Sequence, residues 1–190
     1  MLIKPWINCL LFFVSFLFFA CNNSNKKYDR QKSSLSDNIG DTFRLTKVID
    51  SSGKIVDLDF SKSDNTIIDF WNNSCPPCIE EMKQFKQLLT GKEMKISVIS
   101  ISVNQYWLWK ATLTEHKGIF SFLGNPAENW NHFALESNLP EKLKNDFSFD
   151  RIDELQKIYN VTFFPAYFVV DRNGIIQSRP ESAVDFIKKL

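Results

Sequence analysis

Thr66-Ile-Ile-Asp-Phe-Trp-Asn-Asn-Ser-Cys-Pro-Pro-Cys-Ile-Glu-Glu-Met82 is the stretch from which the fold can be read. Ile67, Ile68, Phe70 and Trp71 form an apolar run rich in β-formers, which predicts a buried strand over 65–71. Beyond Cys78, the residues Ile79, Met82, Phe85, Leu88 and Leu89 recur at helical spacing, while Glu80, Glu81, Lys83, Gln84 and Gln87 occupy the other face. Pro76 and Pro77 fit such a helix only in its first turn, where no intrahelical N–H is needed. The local architecture is therefore strand, short loop, Cys-x-x-Cys and a helix over 76–89. Cys75 falls at the helix start, where unpaired N–H groups and the helix dipole favour a thiolate. Cys78, one turn on, faces inward and is placed to attack a mixed disulfide formed at Cys75.

Other uses of this cysteine pair are weaker. A zinc site needs about four ligands, and beyond these thiols the domain offers His116 and His132 with no second pair. A haem attachment motif needs histidine at position 79, which is Ile79. An inert structural disulfide stays open as an alternative. A bridge over so short a loop restricts the unfolded chain little, however, so redox exchange is the better reason to have one.

With these residues in view, Ile68-Asp-Phe-Trp-x-x-x-Cys-Pro-Pro-Cys78 resembles the active-site segment of thioredoxin-like proteins. It most resembles the lipid- or membrane-anchored TlpA/ResA-type thiol-disulfide oxidoreductases. The resemblance runs over 39–190. Asp41 to Asp57 (DTFRLTKVIDSSGKIVD) resembles the N-terminal β-hairpin of exported members, turning at Ser52-Gly53. Val161-Thr-Phe-Phe-Pro-Ala-Tyr-Phe-Val-Val-Asp-Arg-Asn-Gly174 resembles the family's cis-proline strand and the hairpin after it. Two motifs in the right order are far more specific than Cys-x-x-Cys alone. The fold implied is α/β and thioredoxin-like, a central mixed sheet flanked by helices with an N-terminal β-hairpin extension.

The resemblance also assigns roles. Cys75 and Cys78 become a redox-active disulfide. Pro165 matches the cis-proline that packs against the cysteines and leaves backbone groups free to pair with an extended substrate; the alternative is an edge-strand proline. Phe164, before it, departs from the small polar residue common in thioredoxins and should alter which substrates dock. Trp71, Pro76 and Phe164 are the residues expected to meet substrate, with Trp71 as an aromatic wall. Asp69 matches the buried carboxylate of thioredoxin, where many TlpA/ResA-like members have asparagine or another residue. Buried, it would hold protons more tightly and act as base for Cys78; the alternative is an exposed strand-end aspartate. Glu80 and Glu81 read as acidic residues near a helix start, with Glu81 a secondary proton-relay candidate by resemblance. Trp107, Trp109, Trp130, Phe120 and Phe122 are either a substrate groove or core, core being the more frequent use. His116 and His132 receive no role.

Outward from the domain, Leu10 to Ala20 (LLFFVSFLFFA) is an apolar run broken only by Ser15. It is shorter than the about 20 residues of a membrane span and reads as the core of a signal peptide over 1–20. Phe18-Phe19-Ala20-Cys21 resembles the lipobox of bacterial lipoproteins, with Phe18 where leucine is usual, so Cys21 is expected to carry lipid; the alternatives are ordinary cleavage with an incidental cysteine and an uncleaved anchor. Residues 21–38 are polar and read as a tether, and 39–190 as the thioredoxin-like domain. The chain has 190 residues, a net charge of +1 and 44% hydrophobic residues, which excludes a wholly disordered chain and gives no electrostatic case for nucleic acid.

Further elements are expected as follows. Hairpin strands lie over 42–49 and 54–57, a strand over 95–103, a helix over 105–116 and no regular element over 118–145. A helix over 150–160 has Ile152, Leu155 and Ile158 inward. The proline strand runs to Val170, a short strand covers 175–177, and a last helix opens at Pro180 with Val184, Ile187 and Leu190 inward. No repeat or glycine-rich phosphate loop is present, and no metal or other cofactor is implied. The function expected is an extracytoplasmic thiol-disulfide oxidoreductase, anchored by lipid in the bacterial cell envelope. The resemblance implies reduction of protein disulfides, apocytochrome c among them, with electrons from a membrane donor of DsbD/CcdA type. The alternatives are a thioredoxin-fold surface lipoprotein that only binds, and a thiol peroxidase, whose Pro-x-x-x-Thr-x-x-Cys setting is absent.

Overall fold

The computed structural model describes residues 38–89, 95–125, 127–135 and 155–190. The signal segment, Cys21, the tether up to residue 37, Ile152 and residues 136–145 lie outside the described residues.

Among the described residues, seven strands form one sheet: β1 (Lys47–Ile49), β2 (Ile55–Asp57), β3 (Asn65–Trp71), β4 (Ile96–Ser102), β5 (Trp130–Leu135), β6 (Ala166–Asp171) and β7 (Ile176–Ser178), in the order β2-β1-β5-β4-β3-β6-β7. β4 runs parallel to β3 and β5, and every other pairing is antiparallel. The sheet is therefore mixed and the fold thioredoxin-like. Helices among the described residues are α1 (Pro76–Leu89), α2 (Tyr106–Glu115) and α3 (Ala183–Ile187), with a 3₁₀ segment at Gly118–Gly124 and helical residues at 155–159.

β3 is central and buried from Thr66 to Trp71. Ile67 and Trp71 pack in one cluster with Met82 and Phe85 of α1 and Val184 and Ile187 of α3. Ile68 and Phe70 pack on the other side with Phe43, Tyr159 and Phe168. Alternation along a strand covered on both faces explains why its sequence is almost continuously apolar. Asp69, between Ile68 and Phe70, points to the α1 side.

Several boundaries differ from the sequence expectation. Residues 42–46 do not extend the first hairpin. Thr42 bridges Ile175, and the Phe43 N–H donates to Gly174 O at 2.7 Å, so the segment leaves β1 for the β6–β7 turn. The reason is burial: Phe43 is 1% exposed and stacks on Tyr159 with ring centroids 5.0 Å apart. Gly174 is required in that turn, because its φ is +74° and a Cβ there would lie 3.1 Å from the Phe60 ring. β5 was not expected, since Asn131 and His132 blur its alternation. Ile158 is exposed and Tyr159 faces inward with Leu155, the i, i+4 pair that one helical turn presents to one side. The last helix begins at Ala183, with Ser182 Oγ accepting from Asp185 N at 3.1 Å, and not at Pro180. Val184 and Ile187 are buried as expected, but Leu190 lies past the helix end and is exposed.

Tyr159 also holds residues 42–46, a strap from the β6–β7 turn to β1, in place: its hydroxyl accepts from Arg44 N at 2.7 Å and from Leu45 N at 2.8 Å. Tyr159→Phe leaves both donors without that acceptor. It is expected to lower unfolding free energy by about 1–3 kcal/mol in urea titration, with disulfide exchange unaffected because the strap lies on the face away from α1.

Candidate active site

The loop between β3 and α1 is tied down at each residue. Asn72 Oδ1 accepts from Ser74 N at 2.9 Å, and Asn72 O accepts from Cys75 N at 3.2 Å. Asn73 N donates to Asn104 Oδ1 at 2.8 Å, and Asn73 Nδ2 donates to Thr112 Oγ1 on α2. These anchors were not apparent in the sequence; the Asn-Asn pair at a strand–helix turn was the available signal.

Cys75 and Cys78 are joined by a disulfide. Pro76 and Pro77 occupy the exposed first turn of α1 and withhold no hydrogen bond that the helix needs. The Cys78 N–H donates to Cys75 Sγ at 3.3 Å. No acidic residue stands in that first turn, so a thiolate at Cys75 would meet a backbone donor and the positive end of the helix. Cys75 is 8% exposed and Cys78 0%. Of the pair, Cys75 is the one that retains some exposed surface.

Asp69 is fully buried, which removes the strand-end alternative. Its Oδ2 accepts from Ser100 Oγ at 2.8 Å, and its Oδ1 has no hydrogen-bond partner among the described residues. Burial pushes its pKa up to about 7; the Ser100 hydrogen bond opposes that rise and the Glu81 charge adds to it. Asp69 belongs to a polar row across the sheet. It pairs in register with Ser100 on β4 and Tyr167 on β6, and Ser100 pairs with His132 on β5. Trp130 Nε1 donates to Ser100 Oγ at 2.9 Å. Burial holds the Tyr167 hydroxyl un-ionised, reinforced by the charges of Asp69 and Glu81. Burial also lowers the His132 pKa to about 3, keeping it neutral, and its ring lies 4.6 Å from that of Trp130. Ser100, Tyr167 and His132 were not singled out from sequence. A serine inside the apolar run of β4 was the available signal.

Glu81 serves a different helix from the one that carries it. Its Oε2 accepts from Ala183 N at 3.1 Å and Val184 N at 3.3 Å, so it satisfies the first donors of α3. Glu80 is exposed and lies 3.6 Å from Lys83.

The Phe164–Pro165 bond is cis. Pro165 precedes Ala166, which pairs with Phe70, so it lies beside Trp71 at the end of β3 that leads to Cys75. Phe164 is half-buried, and Phe163, which was not expected at the site, is exposed. Trp71 is 0% exposed and packs on Phe120. It backs the site and does not present a wall to substrate, because β3 is covered on both faces. A tryptophan groove is not present either: Trp109 and Trp130 are core residues, and Trp107 alone of the three is exposed.

Residues 39–179 match the model of the AhpC/TSA family, and the chain belongs to that family. No curated protein sequence matches significantly. Among solved structures, the chain is similar to a thiol:disulfide interchange protein from Bacteroides sp., with 20% identity, TM-score 0.58, and coverage of 80% of this chain and 86% of that one. It is also similar to the thioredoxin domain of a thiol-disulfide oxidoreductase from Bacteroides vulgatus, with 18% identity, TM-score 0.54, and coverage of 80% and 94%. These likenesses establish the thioredoxin-like fold.

Proposed function

We propose, from membership of the AhpC/TSA family and the division of the cysteine pair, that the protein is an extracytoplasmic thiol-disulfide oxidoreductase that reduces protein disulfides. The observation that carries this reading is a Cys75 at a helix start that keeps 8% exposure, joined to a Cys78 that keeps none. In the reduced protein, the Cys75 thiolate attacks one sulfur of a substrate disulfide. A mixed disulfide forms, and the first substrate thiolate leaves. Cys78 then gives its proton to Asp69, and its sulfur attacks Cys75 Sγ. The Cys75–Cys78 bond forms as the second substrate thiolate leaves, so two electrons pass to the substrate. An incoming dithiol reverses these steps and restores the protein. The names of the two structural neighbours support the same chemistry.

The finer parts of the reading rest on the sequence. Lipid on Cys21 would hold the domain at the cell envelope, facing the periplasm or exterior, with residues 21–38 as tether. A membrane donor of DsbD/CcdA type would supply electrons, and apocytochrome c is one candidate substrate. Pro165 and Phe164 would border the path to Cys75 and set substrate choice, and Pro76, exposed in the first turn of α1, would meet substrate as well.

Cys78→Ala is expected to stop the reaction at the mixed disulfide. Purified from cells under acid quench, it should carry partner proteins on Cys75, released by reductant and identifiable by mass spectrometry. Recovery of nothing beyond the background of a Cys75/Cys78 double variant would sink the oxidoreductase reading.

A further inference from the structure

Three hydrogen-bonding groups beneath α1 are connected in a way that fixes their directions. An indole N–H only donates, so Ser100 Oγ is the acceptor in the 2.9 Å contact with Trp130 Nε1. A serine hydroxyl has one proton to give, and the 2.8 Å contact with Asp69 Oδ2 takes it. Oδ2 is then an acceptor from Ser100. A proton placed on Oδ2 would oppose the Ser100 proton, and turning that proton away would leave it without its acceptor in a buried layer. Oδ1 is buried, without a partner among the described residues, and free of this conflict.

We infer that Ser100, oriented by the Trp130 indole, is a positioning residue that keeps Asp69 Oδ2 an acceptor and makes Oδ1 the oxygen that takes the proton of Cys78. The inference rests on the reading of Asp69 as the base. In the step concerned, the S–H bond of Cys78 breaks and an O–H bond forms at Oδ1. The Cys78 sulfur pair then forms the bond to Cys75 Sγ, and the substrate sulfur leaves with the other pair. The Ser100 proton stays on Ser100 throughout.

The surroundings leave few other groups to titrate. α1 contributes Cys78 and Glu81 to this layer, and α3 contributes the apolar Ala183, Val184 and Ile187. β6 contributes Tyr167, whose ionisation is suppressed, and β5 contributes His132, which burial keeps neutral. Ser100 is the neighbour whose hydrogen bond favours the charged carboxylate.

Ser100→Ala removes that favour. The proton affinity of Asp69 is expected to rise roughly tenfold, moving its midpoint up by about one pH unit. Two readouts apply to the reduced full-length protein. The first is a ¹³C NMR titration of the Asp69 carboxyl. The second is the pH profile of the resolving step, followed by rapid mixing of a preformed Cys75 mixed disulfide. Both midpoints should rise together, with the rate recovered at high pH. Ser100→Thr should restore the parent midpoint. Trp130→Phe keeps the ring and Ser100 but removes the indole donor; it should move the midpoint upward by a smaller amount, and it serves as the test should Ser100→Ala fold poorly. A purely structural role for Ser100 would lower the rate at every pH and leave the midpoint in place, which overturns the inference. Asp69→Asn separates the two levels. If it abolishes the pH dependence while the Ser100 and Trp130 variants do not move the midpoint, only the role of Ser100 falls. If it leaves the profile unchanged, Asp69 is not the base and both readings fall.

Discussion

Cys75→Ser is expected to reduce disulfide exchange by on the order of 10³-fold or more, to the uncatalysed background, because it removes the sulfur that forms the bond to substrate. The two cysteines should differ in kind and not only in degree. Cys75 keeps 8% exposure and its sulfur lies against the Cys78 N–H at 3.3 Å, whereas Cys78 is fully buried. In the reduced parent, limiting iodoacetamide should therefore label Cys75 first, and peptide mapping should find little label on Cys78 until the protein is unfolded. Turnover of insulin disulfides with dithiothreitol gives the catalytic readout. Equal labelling of the two thiols in the folded protein would contradict the division of roles.

Asp69→Asn is expected to slow resolution and stabilise the fold at once. The sign of the stability effect follows from the direction of the shift. The pKa of Asp69 rises from 3.8 to about 7 on folding, so between those values the folded state holds a proton that the unfolded chain has released. That stabilising contribution is complete below the unfolded pKa and is lost as pH rises through the folded one. The cost above neutral pH is on the order of 4 kcal/mol. The amide avoids it. The variant should match the parent most nearly at about pH 4 and exceed it in urea unfolding by a few kcal/mol at about pH 8. His132, held neutral by burial, gives an opposite slope in acid; parent and variant share it, so it cancels in their difference. Resolution by Cys78 should slow without a matching loss in the first attack at Cys75. A stability difference that is flat with pH would place Asp69 outside this scheme.

The parts of the site that lie close in sequence were legible. β3, the turn and α1 follow from two changes of hydrophobic period within 66–89, and a lone carboxylate in a buried run marks Asp69. What failed depended on which strands become neighbours. Asp69 and Ser100 are 31 residues apart, and nothing local tells a serine in β4 that an aspartate lies across from it. β5 was hidden because Asn131 and His132 interrupt its apolar pattern, yet that strand brings Trp130 to Ser100. The tryptophans stayed open between groove and core, with core the more frequent use, for the same reason: an aromatic side chain reads alike whether it faces a partner strand or solvent. Glu81 was assigned to the start of its own helix, whereas its carboxylate reaches the start of α3, a contact that only the packed fold brings into being.

The Cys75–Cys78 bond is expected to exchange under physiological redox conditions and not to serve as a fixed structural link. Equilibration of the full-length protein in graded glutathione and dithiothreitol buffers, followed by acid quench and alkylation, measures this directly. The expected result is one two-electron transition, with a tenfold change per about 30 mV and a midpoint between about −200 and −270 mV. A pair still oxidised below about −300 mV, the range of structural disulfides, would contradict the claim, and a midpoint near about −120 mV would reverse the proposed direction of electron flow.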